Sequence, residues 1–185
     1  MKKILVFIMV LICLTNGVKA QNTFVKGEKV LNLGIGLGST YYTGGSYTSK
    51  IPPLSASFEV GVKDNLFDAK SSLGLGGYLG FTGAKWQYGD WGYKYSNVII
   101  GVRGVLHYQL IDKLDTYTGI LLGYNVVTSK EFGTALLGYN YKSSASGLAF
   151  SWFVGGRYFF TEKFGAMLEL GYGISYLNLG VSLKF

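Results

Sequence analysis

The sequence predicts an all-β fold: an eight-stranded antiparallel up-and-down transmembrane β-barrel behind an N-terminal signal peptide. Three observations carry that prediction. Eight separate stretches alternate large apolar residues with small or polar ones. The 185 residues include 28 Gly, 15 Tyr and 12 Phe but are only 15% charged, against about 25% in soluble domains. The connections alternate between short, charged segments and longer ones rich in Tyr, Gly and Ser. Disorder is excluded by a hydrophobic content of 49%. A helical bundle is disfavoured by the Gly and aromatic content. The longest uncharged apolar run, Ile4 to Leu14, is 11 residues, short of the ~18 that a spanning helix needs.

Residues 1–20 read as a secretory signal peptide. Lys2 and Lys3 form its positive end, Ile4 to Leu14 its apolar centre, and Val18-Lys19-Ala20 its small-residue cleavage site. The mature domain is then 21–185. Cys13 is the only cysteine and leaves with the signal, so the mature chain has no disulfide and no thiolate metal site. Loss of Lys2, Lys3 and Lys19 takes the basic count from 17 to 14 against 10 acids, a net charge of +4 instead of +7. That charge is small and scattered, so no nucleic-acid partner is expected.

The strands follow in order. Leu31, Leu33, Ile35 and Leu37 alternate with Asn32, Gly34, Gly36 and Gly38. Leu54 to Val62, Leu73 to Phe81, Val98 to Tyr108 and Thr118 to Val126 repeat the pattern. So do Leu148 to Tyr158, Phe164 to Tyr172 and Leu177 to Phe185. Period-two alternation means strands with two chemically different faces. Each stretch is close to the ~9–11 residues that cross a bilayer at a tilt. Leu121 breaks the polar face of the fifth. Short connections are expected at 63–72, 112–113 and 161–163, and long ones at 41–53, 85–96 and 128–146. The hairpin at 173–175 breaks this rule with almost no loop. Odd strands start near residues 30, 73, 117 and 164.

The smaller-residue face decides which solvent meets which side. It is mostly Gly, Ser, Asn and Thr with isolated charges, whereas a water-facing surface is about 25–35% charged. Small residues suit a narrow lumen, and aliphatic ones suit lipid. Tyr176 falls on the lumen face, and serine at Gly36 there is expected to be tolerated better than arginine on the lipid face. Val102 and Leu168 are assigned to lipid. Aromatics near strand ends suit membrane interfaces: Tyr41, Tyr42, Trp86, Tyr88, Trp91, Tyr93, Tyr95 and Tyr139 at one rim, and Tyr108, Phe159, Phe160, Phe164 and Phe185 at the other. Trp86 and Trp91 fit a packed loop cluster equally well.

In strand number, length and loop asymmetry the mature chain resembles the small outer-membrane barrels of the OmpA/OmpX type. The leader followed by Gln21-Asn22 looks like Bacteroidetes export sequences. The alternation ending in Phe185 resembles the terminal signal that such barrels present to their assembly machinery. The resemblance implies a cell outer-membrane location and a monomer. Its implied partners are outer-membrane lipids, lipopolysaccharide and, during biogenesis, the assembly machinery. The even strand number puts both termini in the periplasm. Lipid A deacylases are similar in size but pair His with a nearby Ser on the lipid side. Here the sole histidine, His107, falls on the lumen face before Tyr108 and Gln109, so that site is not carried over.

No catalytic residues, metal ligands or cofactor are expected. Gly34 to Gly38 and Gly74 to Gly80 spell no phosphate-binding pattern and open no helix. His107 reads as an interior residue with its hydrogen bonds met. Glu59, Arg103, Arg157 and Glu169 fall on the lumen face and are expected to form a charge network, since an isolated buried charge is costly. Arg157 is expected to pair less fully, near the periplasmic rim. The network reads as a structural plug ahead of a gate. The leading function is therefore a non-enzymatic, structural or cell-surface barrel with Tyr-rich external loops. The alternative is a narrow passive channel for small or apolar solutes. An envelope enzyme and a secretion accessory rank below both.

Overall fold

The computed structural model describes residues 23–44, 46–133 and 145–185. The segment expected to be a signal peptide, residues 1–20, and Tyr139 lie outside the described residues. Eight antiparallel strands run in sequence order around one closed barrel, and β8 pairs back onto β1. They are β1 Lys29–Ser39, β2 Ser49–Asp64, β3 Ser71–Tyr88, β4 Trp91–Ile111, β5 Leu114–Phe132, β6 Gly147–Phe159, β7 Phe164–Gly171 and β8 Ser175–Lys184. Both described chain ends lie at one end of the barrel, called here the near end.

The alternation resolves into an inverted distribution of polarity. Leu33, Ile35, Leu54, Leu75, Leu79, Ile100, Val102, Leu122 and Leu168 point outward and are 43–64% exposed. Asn32, Ser57, Thr82, Asn97, Asn125 and Ser182 point inward and are buried. A continuous apolar belt of this size is unsuited to water. The closed ladder gives every strand two hydrogen-bonded neighbours, as hydrocarbon favours. Leu121, the exception on its polar face, lies in the lumen with Ile99, Val105, Tyr117, Phe153 and Ile174.

The wall is uneven in height. β3, β4 and β5 have 18, 21 and 19 residues, whereas β7, β8 and β1 have 8, 10 and 11. The excess is at the far end. The segment expected as a loop at 85–96 is instead paired from Ala84↔Tyr95 up to Tyr88↔Trp91 and turns on Gly89-Asp90, with Gly89 at φ 58°. A Gly-Asp turn between alternating aromatics is itself a hairpin signal. β1 and β2, by contrast, pair only as far as Ile35↔Leu54. Beyond that point Pro52 and Pro53 have no N–H to offer a neighbour.

Several side-chain expectations need correcting. Tyr42 is buried, and Trp86, Trp91, Tyr93 and Tyr95 share the inward phase of Ala84, Asn97 and Ile99. They pack on one another: Trp86–Trp91 at 5.6 Å, Trp91–Tyr93 at 5.2 Å and Tyr93–Tyr95 at 6.1 Å between ring centroids. They are a cluster, not a lipid-facing girdle. Phe159 is also interior, 4% exposed, with Lys184 Nζ 4.7 Å from its ring. Tyr176 is 45% exposed and meets Tyr172, because the phase slips where Ser175 and Asn178 both turn inward and hydrogen-bond each other at 2.9 Å. Gly36 has no room for serine: a Cβ there would lie 2.5 Å from Ser175 Cβ and 2.7 Å from Pro53 Cβ.

Candidate functional site

The lumen gathers buried ionisable side chains from β2, β4, β5, β6 and β7, and it is filled in layers. At the near end the segment before β1 folds across the mouth. Gly27 N–H donates to Gly61 O at 2.8 Å, Thr23 N–H to Gln109 Oε1 at 2.8 Å, and Ser72 Oγ to Phe24 O at 2.9 Å. Lys184 Nζ donates to Thr23 O. These bonds drive the Phe24 ring into the barrel, 4% exposed and 4.1 Å from the His107 ring.

Above Phe24 sits a four-membered charge cluster. His107 Nε2 faces Glu59 Oε1 at 2.5 Å and His107 Nδ1 faces Asp115 Oδ1 at 3.0 Å. Arg157 Nη2 reaches Asp115 Oδ2 at 2.7 Å and Glu59 Oε1 at 3.5 Å. Cross-strand register sets the pairing, since Asp115 lies directly opposite Arg157. Gly74 makes the space, because a Cβ there would meet Glu59 Oε1 at 2.5 Å. Two carboxylates against one guanidinium leave one negative charge, which His107 offsets when both its ring nitrogens carry protons. Arg157 is fully buried, which corrects the expectation that it pairs less fully at the rim.

The next layer is a pair. Arg103 Nη2 donates to Glu169 Oε2 at 2.6 Å and Nη1 to Ser57 Oγ at 3.2 Å. Its guanidinium lies 3.8 Å from the Phe153 ring, and Tyr117 OH donates to Glu169 at 3.3 Å. A void of about 20 Å³ adjoins it, lined in part by Tyr78, Ser151, Ser175 and Asn178. That is room for about one water molecule. At the far end Tyr42 closes the barrel: it is 7% exposed and its hydroxyl accepts from Asn97 Nδ2 at 3.1 Å. Burial, with the phenols of Tyr47 and Tyr95 beside it, pushes the Tyr42 hydroxyl up to about 12.

The four charges named from sequence thus fall into two groups, Arg103 with Glu169 and Glu59 with Arg157. The sequence reading missed Asp115 and Phe24. Asp115 could have been found, since it shares the inward phase of Tyr117 and Leu121; Phe24 belongs to no alternating stretch. Phe185 is 68% exposed and donates its N–H to Lys29 O at 3.0 Å, beside the outward face at the near end. Chemically, the lumen holds paired charge. Both His107 nitrogens face carboxylates, so neither is free for a hydroxyl. Among the described residues no three His, Asp or Glu groups converge to hold a metal ion.

No family model matches the chain, and no curated protein matches it. Solved structures do. Ail, the attachment invasion locus protein of Yersinia pestis, solved with the heparin analogue sucrose octasulfate, aligns over 87% of this chain and 100% of its own. The identity is 10% and the TM-score 0.56. The outer membrane protein OprG from Pseudomonas aeruginosa aligns over 89% and 99% at 10% identity with a TM-score of 0.49. The N-terminal β-barrel domain of Pseudomonas aeruginosa OprF aligns over 87% and 98% at 14% identity with a TM-score of 0.45. At such identities the likeness is one of fold: this chain has the fold of the small eight-stranded outer-membrane β-barrels.

Proposed function

We propose that the protein is a non-enzymatic, non-conducting outer-membrane barrel that acts at the cell surface. Both termini lie in the periplasm, and the raised β3–β5 wall projects outside. The observation that carries this reading is a lumen filled by charge pairs and capped by Phe24 at one end and Tyr42 at the other. A barrel so filled acts through its exposed surface, and the raised β3–β5 wall is the part of that surface that extends farthest beyond the short strands. Surrounding lipid, lipopolysaccharide and, during biogenesis, the assembly machinery reading Phe185 complete the expected partners of a monomer. Proteolysis of whole cells tests the arrangement. Cleavage near Lys50 or Lys94 with Lys113 spared is the expected result. Cleavage at Lys113 alone reverses the orientation, and recovery of the mature protein in the soluble periplasm overturns the reading.

A second reading has one observation in its favour. Where β1 and β2 part, a groove of about 490 Å³ opens among Gly36, Leu37, Ile51, Pro52, Pro53 and Tyr176. It suits entry of a small apolar solute from the side. Vesicle uptake of an apolar dye, slowed when Pro52→Thr and Pro53→Val restore the missing N–H groups, supports this passage; uptake no faster than in protein-free vesicles excludes it.

A further inference from the structure

Beyond the apolar belt the outward face of the raised wall turns basic. Lys85 of β3 lies directly opposite Lys94 of β4, and Lys94 directly opposite Lys130 of β5. All three share the outward phase, in step with Leu79, Val98 and Val126. Like charges placed directly across a ladder destabilise a sheet. Yet among the described residues no carboxylate pairs with any of the three. Residues 134–144 contain no Asp or Glu that could do so. The nearest acid along the wall, Glu131, has the opposite phase and accepts from Trp91 Nε1 at 2.5 Å.

What Lys85 and Lys94 meet instead is an aromatic floor. The Phe132 ring lies 4.7 Å from Lys85 Nζ and 5.5 Å from Lys94 Nζ. It reaches them across Gly92, its partner on β4, where a Cβ would lie 2.8 Å from Phe132 Cζ. Height completes the picture. Lys94 stands two pleats beyond Val98, about 10 Å along the barrel axis for a strand tilted near 40°. The headgroup layer is about 5–8 Å deep on each side of the hydrocarbon, and a lysine stem bends back far enough to enter it. Three strands abreast spread the ammonium groups over about 10 Å.

We propose that Lys85 and Lys94 on their Phe132 floor, with Lys130 on the neighbouring strand, form a docking site for the phosphate-bearing headgroup of an outer-leaflet lipid. A phosphate monoester brings up to two negative charges and three acceptor oxygens to a row that has no anion of its own. Binding converts the repulsion along the row into attraction. The proposal rests on the orientation given above, with the far end outside.

The test uses mature protein refolded into phosphocholine vesicles doped with either bisphosphorylated lipid A or the same lipid stripped of its phosphates. Symmetric vesicles make the result independent of orientation in the cell, so failure here is distinct from failure of whole-cell proteolysis. The urea midpoint of the wild type should rise with the phosphorylated lipid alone. The K85Q/K94Q/K130Q variant should lose that rise, with affinity weaker on the order of 100-fold. In undoped vesicles it should be at least as stable as the wild type. K94Q alone should lose an intermediate share. Equal midpoints for the two lipids in the wild type, or a triple variant that keeps the rise, overturn the proposal. A rise reproduced by inorganic phosphate overturns it too, in favour of a soluble anion.

Discussion

Near the termini, Glu59, His107, Asp115 and Arg157 interlock, all buried, under Phe24; further along the lumen, Arg103 and Glu169 stand as a pair beside a void. The residue types are nearly the same and the surroundings are not. In the first group each charge has two partners, and removing one strands the others in a buried site. In the second, one water can stand in for a missing partner, and Phe153 shields one face of the guanidinium. The difference shows that in a closed lumen the weight of a charge depends on what could replace its partner, more than on its own burial.

That contrast can be broken most directly at Arg157. Arg157→Ala leaves Glu59 and Asp115 with His107 alone to offset them, and stability in vesicles should fall by about 3–5 kcal/mol in urea titrations. Next is Phe24→Ala, which opens the lid over the same cluster. It should cost about 3 kcal/mol by the usual loss for a buried ring, and it should make the Arg157→Ala effect smaller by admitting water. Glu169→Gln, beside the void, should cost about 1–3 kcal/mol. Double-mutant cycles sharpen the division: Glu59 with Arg157 should be strongly non-additive, and Glu59 with Arg103 close to additive. Equal coupling in both cycles means the lumen is one network. The smallest effect belongs to an exposed carboxylate at the near end. Asp68 accepts from Lys70 N–H and then from Tyr108 OH, which lowers its pKa. A depressed acid contributes stability above its ordinary pKa and loses it as pH falls through the lowered one. Asp68→Asn should therefore lower the urea midpoint slightly above the ordinary carboxylate pKa, flatten the acid-side slope, and converge with the wild type at low pH.

The barrel was legible because each strand's two faces differ in chemistry, so Val102 and Arg103 declare opposite sides from sequence alone. Partner choice was not legible. Whether Arg157 meets Asp115, Glu59 or water depends on cross-strand register, which alternation does not set. Asp115 hid beside a charged turn at Asp112-Lys113, where acids are normally solvated. The tall wall was hidden by composition: residues 85–96 look like a loop by their Tyr and Gly content, and only the phase of Trp86, Trp91, Tyr93 and Tyr95 betrays paired strands. Phe24 was invisible because a single plugging residue has no period. Its place is fixed by contacts to Ser72, Gln109 and Lys184, far away in the chain.

Planar-bilayer recording of the refolded mature protein, with Phe24→Ala alongside, tests the closed lumen most directly. A barrel filled by two charge layers and capped at both ends should show no steady single-channel current in either protein, since removing the lid leaves both layers in place. A stable, ion-selective current in the wild type would contradict the account and make the lumen charges a gate.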